Sequence, residues 1–85
     1  MGIQKDSDKV LAFMYKQYIT DEPISPQLLL KTFWNDGKRI NRAIRHLKDS
    51  ELIDITWTLQ NMNGLQHFIF RRLTAKGINL IENKP

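Results

Sequence analysis

The sequence of 85 residues contains no cysteine, and its only imidazoles are His46 and His67. Without cysteine the chain has no disulfide framework and no thiolate metal site, and two isolated histidines do not make a zinc-site pattern. No apolar run approaches the roughly 18 residues of a membrane span. We therefore expect no metal and no membrane partner, and a cytoplasmic location.

The patterns of an enzyme are also missing. The four glycines are scattered at positions 2, 37, 64 and 77, so they form no phosphate-cradling loop. Neither histidine has a partner at a spacing that suggests a nucleophile with its base. A domain of this size has little volume for a deep pocket. The sequence predicts no catalysis and no cofactor, and it offers no sign of a small-molecule ligand.

Positive charge is concentrated in one short stretch. The net charge is only +4, and the hydrophobic and charged fractions of 41% and 26% are ordinary for a globular protein. Five of the thirteen Lys and Arg residues nevertheless lie between Lys38 and Lys48, where no acid occurs. This placement favours a local basic patch over a uniformly basic surface.

The stretch from Asp36 to Leu52 has the pattern of an amphipathic helix. At 100° per residue its apolar side chains fall on one arc: Ile40, Ala43, Ile44 and Leu47. The opposite side carries Lys38, Arg42 and Arg45, with Arg39 on one shoulder and Asn41 and Lys48 on the other. With Asp36 as its cap, this helix at about 36–50 is a candidate for a DNA major groove.

Two further helices are predicted before this one. Residues 1–5 carry no periodic signal and are expected to form a loose arm, after which Ser7 or Asp6 caps a first helix over 7–19. Its apolar arc is wide, with Val10 and Phe13 on one flank. Either the helix is simply central to the core, or this flank is a dimer interface with a second copy. Ser25-Pro26 then begins a second helix that ends near Trp34.

After Ser50 the pattern changes to that of a β-hairpin. Ile53, Ile55, Trp57 and Leu59 alternate with polar residues, which predicts a strand with one buried face. Residues 61–64, Asn-Met-Asn-Gly, predict the turn, and 65–73 the return strand. Thr74 caps a last short helix, which Gly77 weakens by roughly 1 kcal/mol relative to alanine. Residues 83–85 are expected to fray, and residues 1–85 to form a single domain.

Two segments carry a resemblance to a known family. The first runs from Ile40 to Leu47 and is followed by Leu52-Ile53; the second is Leu73-Thr74-Ala75-Lys76-Gly77 with Leu80-Ile81. With a hairpin between them, they resemble the recognition helix and the "LTxxG" segment of winged helix-turn-helix domains, in particular small prokaryotic regulators of the MarR and PadR type. The resemblance implies an α+β fold: a three-helix core, a C-terminal β-hairpin wing and a short final helix.

The resemblance and the basic patch together predict double-stranded DNA binding by a small, homodimeric transcription regulator, with the third helix in the major groove. Lys38, Asn41, Arg42 and Arg45 are suited to the groove, and Arg39 and Lys48 to phosphates. Gln27, Lys31, Arg71 and Arg72 are further candidates for backbone contact, although ordinary surface roles fit them equally well.

A second hypothesis belongs to another class. The predicted wing tip, from Gln60 to Gln66, contains no Lys or Arg, whereas DNA-contacting wings of this family are often basic. The domain would then be a protein–protein interaction module that uses helix one and the uncharged wing.

Overall fold

The computed structural model describes residues 2–62 and 64–83, apart from the side chains of residues 60–62. Over these residues the chain is α+β, with four helices and one two-stranded antiparallel hairpin. The elements in chain order are α1 (Ile3–Ile19), α2 (Pro26–Thr32), α3 (Gly37–Asp49), β1 (Ile53–Met62), β2 (Leu65–Leu73) and α4 (Ala75–Glu82). None of the helices in this described part is long and apolar enough to cross a membrane.

Three helix starts follow from local side-chain caps, as the sequence predicts. Ser25 accepts a hydrogen bond from the N–H of Leu28, Asp36 from that of Arg39, and Thr74 from that of Gly77. Each cap satisfies a backbone donor that the first helical turn leaves unpaired. The predicted bounds of α2 and α3 are correct to within two residues.

The start of α1 was predicted incorrectly. Neither Ser7 nor Asp6 is the cap, because the helix begins at Ile3 after Gly2, which makes no side-chain cap. Residues 3–5 are therefore helical rather than a loose arm. Tertiary contacts support this first turn: the Asp6 carboxylate pairs with Arg39 of α3, and the buried Ser7 hydroxyl donates to the Ala43 carbonyl at 3.4 Å.

A single core joins the helices to the hairpin. The apolar stripe of α3 lies against α1 and both strands, so one side of α3 is removed from water, as its periodicity predicts. The buried hydrophobic residues are Val10, Leu11, Met14, Leu29, Ile40, Ala43, Ile44, Leu47, Leu52, Ile53, Ile55, Leu65, Phe68 and Leu73. Burying each of the larger side chains stabilises the fold by about 1.5–3 kcal/mol, which anchors α3 firmly.

The hairpin departs from simple alternation. Ile53 and Ile55 are buried as predicted, and Trp57 is half-buried against Phe68, but Leu59 is fully exposed. The pairing explains why: Trp57 pairs with Phe68 and Asn61 with Gln66, so β1 advances four residues while β2 advances two. Such a bulge breaks the two-residue period, and side chains beyond it no longer follow the predicted faces.

The predicted hairpin turn and the predicted frayed carboxyl end lie only partly within the described residues. Gly64 has φ of +81°, a conformation that glycine adopts without strain, and it stands directly before β2. Asn63 of the predicted turn lies outside the described residues. At the carboxyl end Asn83 is the C-cap of α4, and positions 84 and 85 of the predicted frayed end also lie outside the described residues.

Candidate nucleic-acid interface

The solvent-facing side of α3 carries three cationic side chains on successive turns. Lys38, Arg42 and Arg45, which we call the cationic row, are all exposed and are spaced four and three residues apart. Among the described residues none of them forms an ion pair with a carboxylate. Guanidinium groups that make no ion pair within the chain can bind phosphates or guanine edges, in both cases through paired hydrogen bonds.

The cationic row lies between two other parts of the fold. On one side is a depression whose lining includes Gly2, Ile3 at the start of α1, and Arg42. On the other side is the hairpin, where the Arg45 guanidinium carbon lies 5.9 Å from the centroid of the Trp57 ring. That distance is at the outer limit of a cation–π contact, so Trp57 flanks Arg45 without immobilising it.

Arg39 is directed away from this row into an intramolecular cluster. Its Nε and Nη2 atoms donate to Asp6 at 2.8 and 2.9 Å, and its guanidinium carbon lies 4.0 Å from the centroid of the Trp34 ring. The hydrogen bonds from Arg39 hold the pKa of Asp6 below its ordinary value. Arg39 therefore ties α3 to α1, a role that differs from the phosphate contact predicted for it.

Asn41 also has partners within the chain. Its Oδ1 accepts a hydrogen bond from the backbone N–H of Gln66 at 2.9 Å, and its Nδ2 donates to the carbonyl of Gly64. Both ends of the amide are thus used to hold the start of β2. The groove contact predicted for Asn41 would require these hydrogen bonds to break.

Lys48 and the two candidates on α2 are exposed. Lys48 lies in the last turn of α3, and Gln27 and Lys31 lie on the side of α2 opposite to the buried Leu29. Their positions agree with a role in phosphate contact, and equally with a solvated surface.

Arg71 and Arg72 lie at the base of the hairpin, and both make contacts within it. Arg71 donates from Nε to the hydroxyl of Thr56 at 2.8 Å, and Arg72 forms an ion pair with Asp54 at 3.5 Å. The Arg72 side chain is 68% exposed. An ion pair that exposed contributes at most about 1 kcal/mol, so Arg72 could exchange it for a phosphate.

The predicted dimer flank of α1 needs one correction. Val10 is completely buried in the core of its own chain, so it cannot also face a second copy. Phe13 is half-buried, and its ring packs edge-on against Phe33 with centroids 5.5 Å apart. The wide apolar arc of α1 is thus used largely to contact α3, with smaller contacts to α4 and β2.

An open groove lies beside the carboxyl end of α3. Its cavity volume is about 660 Å³, and its lining includes Gln4, His46, Leu52, Lys76 and Leu80. No sequence pattern indicates such a groove, because its walls come from three helices that are distant in the chain. Within residues 2–62 and 64–83 no cluster of three or more His, Cys, Asp or Glu side chains could hold a metal ion.

No protein-family model, curated protein or solved structure compared with this chain matches it. The interpretation of the surface therefore depends on the geometry of its own side chains.

Proposed function

We propose that this chain is a winged helix-turn-helix domain that binds double-stranded DNA, with α3 in the major groove, and that it acts as a small transcription regulator. The observation that carries the proposal is the exposed cationic row on a helix whose other side is fully buried. A helix anchored in this way presents Lys38, Arg42 and Arg45 as a rigid set.

The dimensions and the order of elements support the same proposal. The eight residues from Lys38 to Arg45 cover seven helical rises, or about 10 Å along the helix axis, and a major groove roughly 12 Å wide admits an α-helix. α2 and α3 are separated only by residues 33–36, and the hairpin follows α3 directly. In this arrangement Arg42 and Arg45 reach base edges, while Lys48, Lys31, Gln27 and Arg72 reach phosphates.

Homodimerisation is part of the proposal because one small domain makes few contacts. Two copies bound to half-sites one helical turn apart would multiply the affinity. Phe13 remains the candidate interface residue on α1.

One observation favours the alternative, a protein–protein interaction module. Leu59 is fully exposed and Ile69 is 55% exposed, and both lie on the hairpin. Exposed apolar side chains on a hairpin are suited to a protein partner. Under this alternative the cationic row is not required for activity.

The decisive experiment is a titration of duplex DNA selected from a random pool, repeated at several salt concentrations. We expect binding that weakens as salt rises, because phosphate contacts release counterions. Arg42→Ala should cost about 1–3 kcal/mol at one base pair if Arg42 reads a base edge. If it contacts a phosphate, the loss should be equal on all sequences and the salt slope should fall by about 1.

Lys16→Ala is the matched control, because Lys16 is an exposed cation in the last turn of α1, outside the proposed surface. It removes the same charge and should change duplex affinity far less than Arg42→Ala. If the wild-type chain binds no duplex even at low salt, the proposal is wrong. If Lys38, Arg42 and Arg45 can all be replaced without loss of biological activity, the alternative is favoured.

A further inference from the structure

The hairpin is fastened to α3 at the point where the chain enters β2. The Asn41 side chain accepts from the N–H of Gln66 and donates to the carbonyl of Gly64, so it bridges two backbone groups of the other element. Asn41 is itself half-buried. Because both partners are backbone atoms, the bridge fixes the path of the chain and not merely one side chain.

Neighbouring contacts make this attachment close. A Cβ atom on Gly64 would lie 3.3 Å from Cγ of Lys38, so the stem of Lys38 rests against the glycine backbone. Leu65, next in the chain, is completely buried. Residues 64–66 are thus contacted by side chains of α3 and, through the buried Leu65, by the core.

We propose that Asn41 is a positioning residue. Its two hydrogen bonds hold the start of β2 in a fixed position relative to α3, so that the hairpin and the cationic row contact DNA as one rigid unit. This inference rests on the proposed DNA binding. It replaces a base-reading role for Asn41, because an amide turned towards adenine would leave the Gly64 carbonyl and the Gln66 N–H without their partners.

The attachment has a consequence for DNA contact. The hairpin is held near α3 by Asn41 at Gly64 and Gln66, and Trp57 of β1 flanks Arg45. With the bridge intact, the hairpin and the cationic row keep a fixed spacing, so both can contact their phosphates at the same time. Without it, the hairpin moves relative to α3, and its phosphate contacts form in only part of the population.

The test compares Asn41→Ala with Asn79→Ala, which removes a similar side chain from an exposed position on α4. In the free protein we expect the backbone amide of Gln66 to exchange its hydrogen roughly tenfold faster in Asn41→Ala, since its acceptor is gone. Duplex affinity should fall about three- to tenfold on every sequence, with a salt slope smaller by about 1.

The salt slope separates positioning from a loss of stability. A partly unfolded population lowers the apparent affinity by one factor at all salt concentrations and leaves the slope unchanged, whereas a lost phosphate contact reduces it. An unchanged exchange rate at Gln66, an unchanged slope, or a loss confined to one base pair would each overturn the inference. If the wild-type chain binds no duplex, both proposals fail. Faster exchange at Gln66 in Asn41→Ala would then show that the attachment of the hairpin to α3 exists and that the proposed DNA binding is wrong.

Discussion

Replacement of Gly77 by alanine changes the free energy of unfolding through two effects of opposite sign. Gly77 lies within α4, where alanine is favoured by about 1 kcal/mol because it loses less conformational entropy on folding. Yet Gly77 is buried, and a Cβ atom there would overlap the carbonyl oxygen of Leu52 and lie 3.1 Å from its carbonyl carbon. The balance depends on whether Leu52 can move.

The surroundings of Leu52 indicate that it cannot move cheaply. Its carbonyl accepts the N–H of Thr74 at 3.2 Å, and its own N–H donates to Leu47 at 3.0 Å. The Thr74 hydroxyl donates to Glu51 at 2.7 Å. Relief of the overlap needs a backbone shift on the order of 1 Å, which stretches these bonds. We put this cost near the upper end of the 1–3 kcal/mol typical of overpacking, about 3 kcal/mol.

Gly77→Ala should therefore lower the free energy of unfolding by about 2 kcal/mol, or the melting temperature by roughly 10 °C. Urea denaturation followed by circular dichroism measures the first, and thermal denaturation the second. Lys76→Ala and Lys76→Gly, at the exposed neighbouring position, give the propensity difference within the same helix. If Gly77→Ala is as stable as the wild type or more so, propensity outweighs the close approach and the reasoning is refuted.

Two further predictions concern the ion pair and the bulge. The hydrogen bonds from Arg39 lower the pKa of Asp6 from its ordinary value. The pair therefore stabilises the fold at neutral pH, and this benefit is lost as the pH falls through the lowered pKa. The stability gap between wild type and Asp6→Asn should therefore narrow below about pH 4, and a constant gap would contradict this. Leu59→Ala should change the free energy of unfolding by less than about 0.5 kcal/mol, against about 2–5 kcal/mol for Ile55→Ala. Equal losses would mean that Leu59 is buried.

The parts of the fold that were predicted correctly have local causes. Ser25, Asp36 and Thr74 each cap a helix through an N–H three residues away, so the signal is complete within four residues. The buried stripe of α3 follows from helical periodicity alone. Such features can be read from a sequence because the interacting atoms are close along the chain.

The parts that were predicted incorrectly depend on distant partners. α1 begins at Ile3 without a side-chain cap, and its first turn is held by Asp6, whose partner Arg39 is 33 residues away. Leu59 follows the alternating pattern of β1 but is exposed, because a bulge depends on how two strands pair. No local pattern identifies either feature.

The same distinction divides the predicted DNA-binding residues of α3. Sequence periodicity assigns a side chain to a sector of the helix but does not show which neighbours border that sector. Arg39 and Asn41 lie on the two shoulders, where α1 and the hairpin reach them, and both acquire partners. Lys38, Arg42 and Arg45 lie farthest from the buried stripe and remain exposed. A polar residue on the shoulder of a buried helix is therefore a weaker candidate for ligand contact than one at the centre of its exposed side.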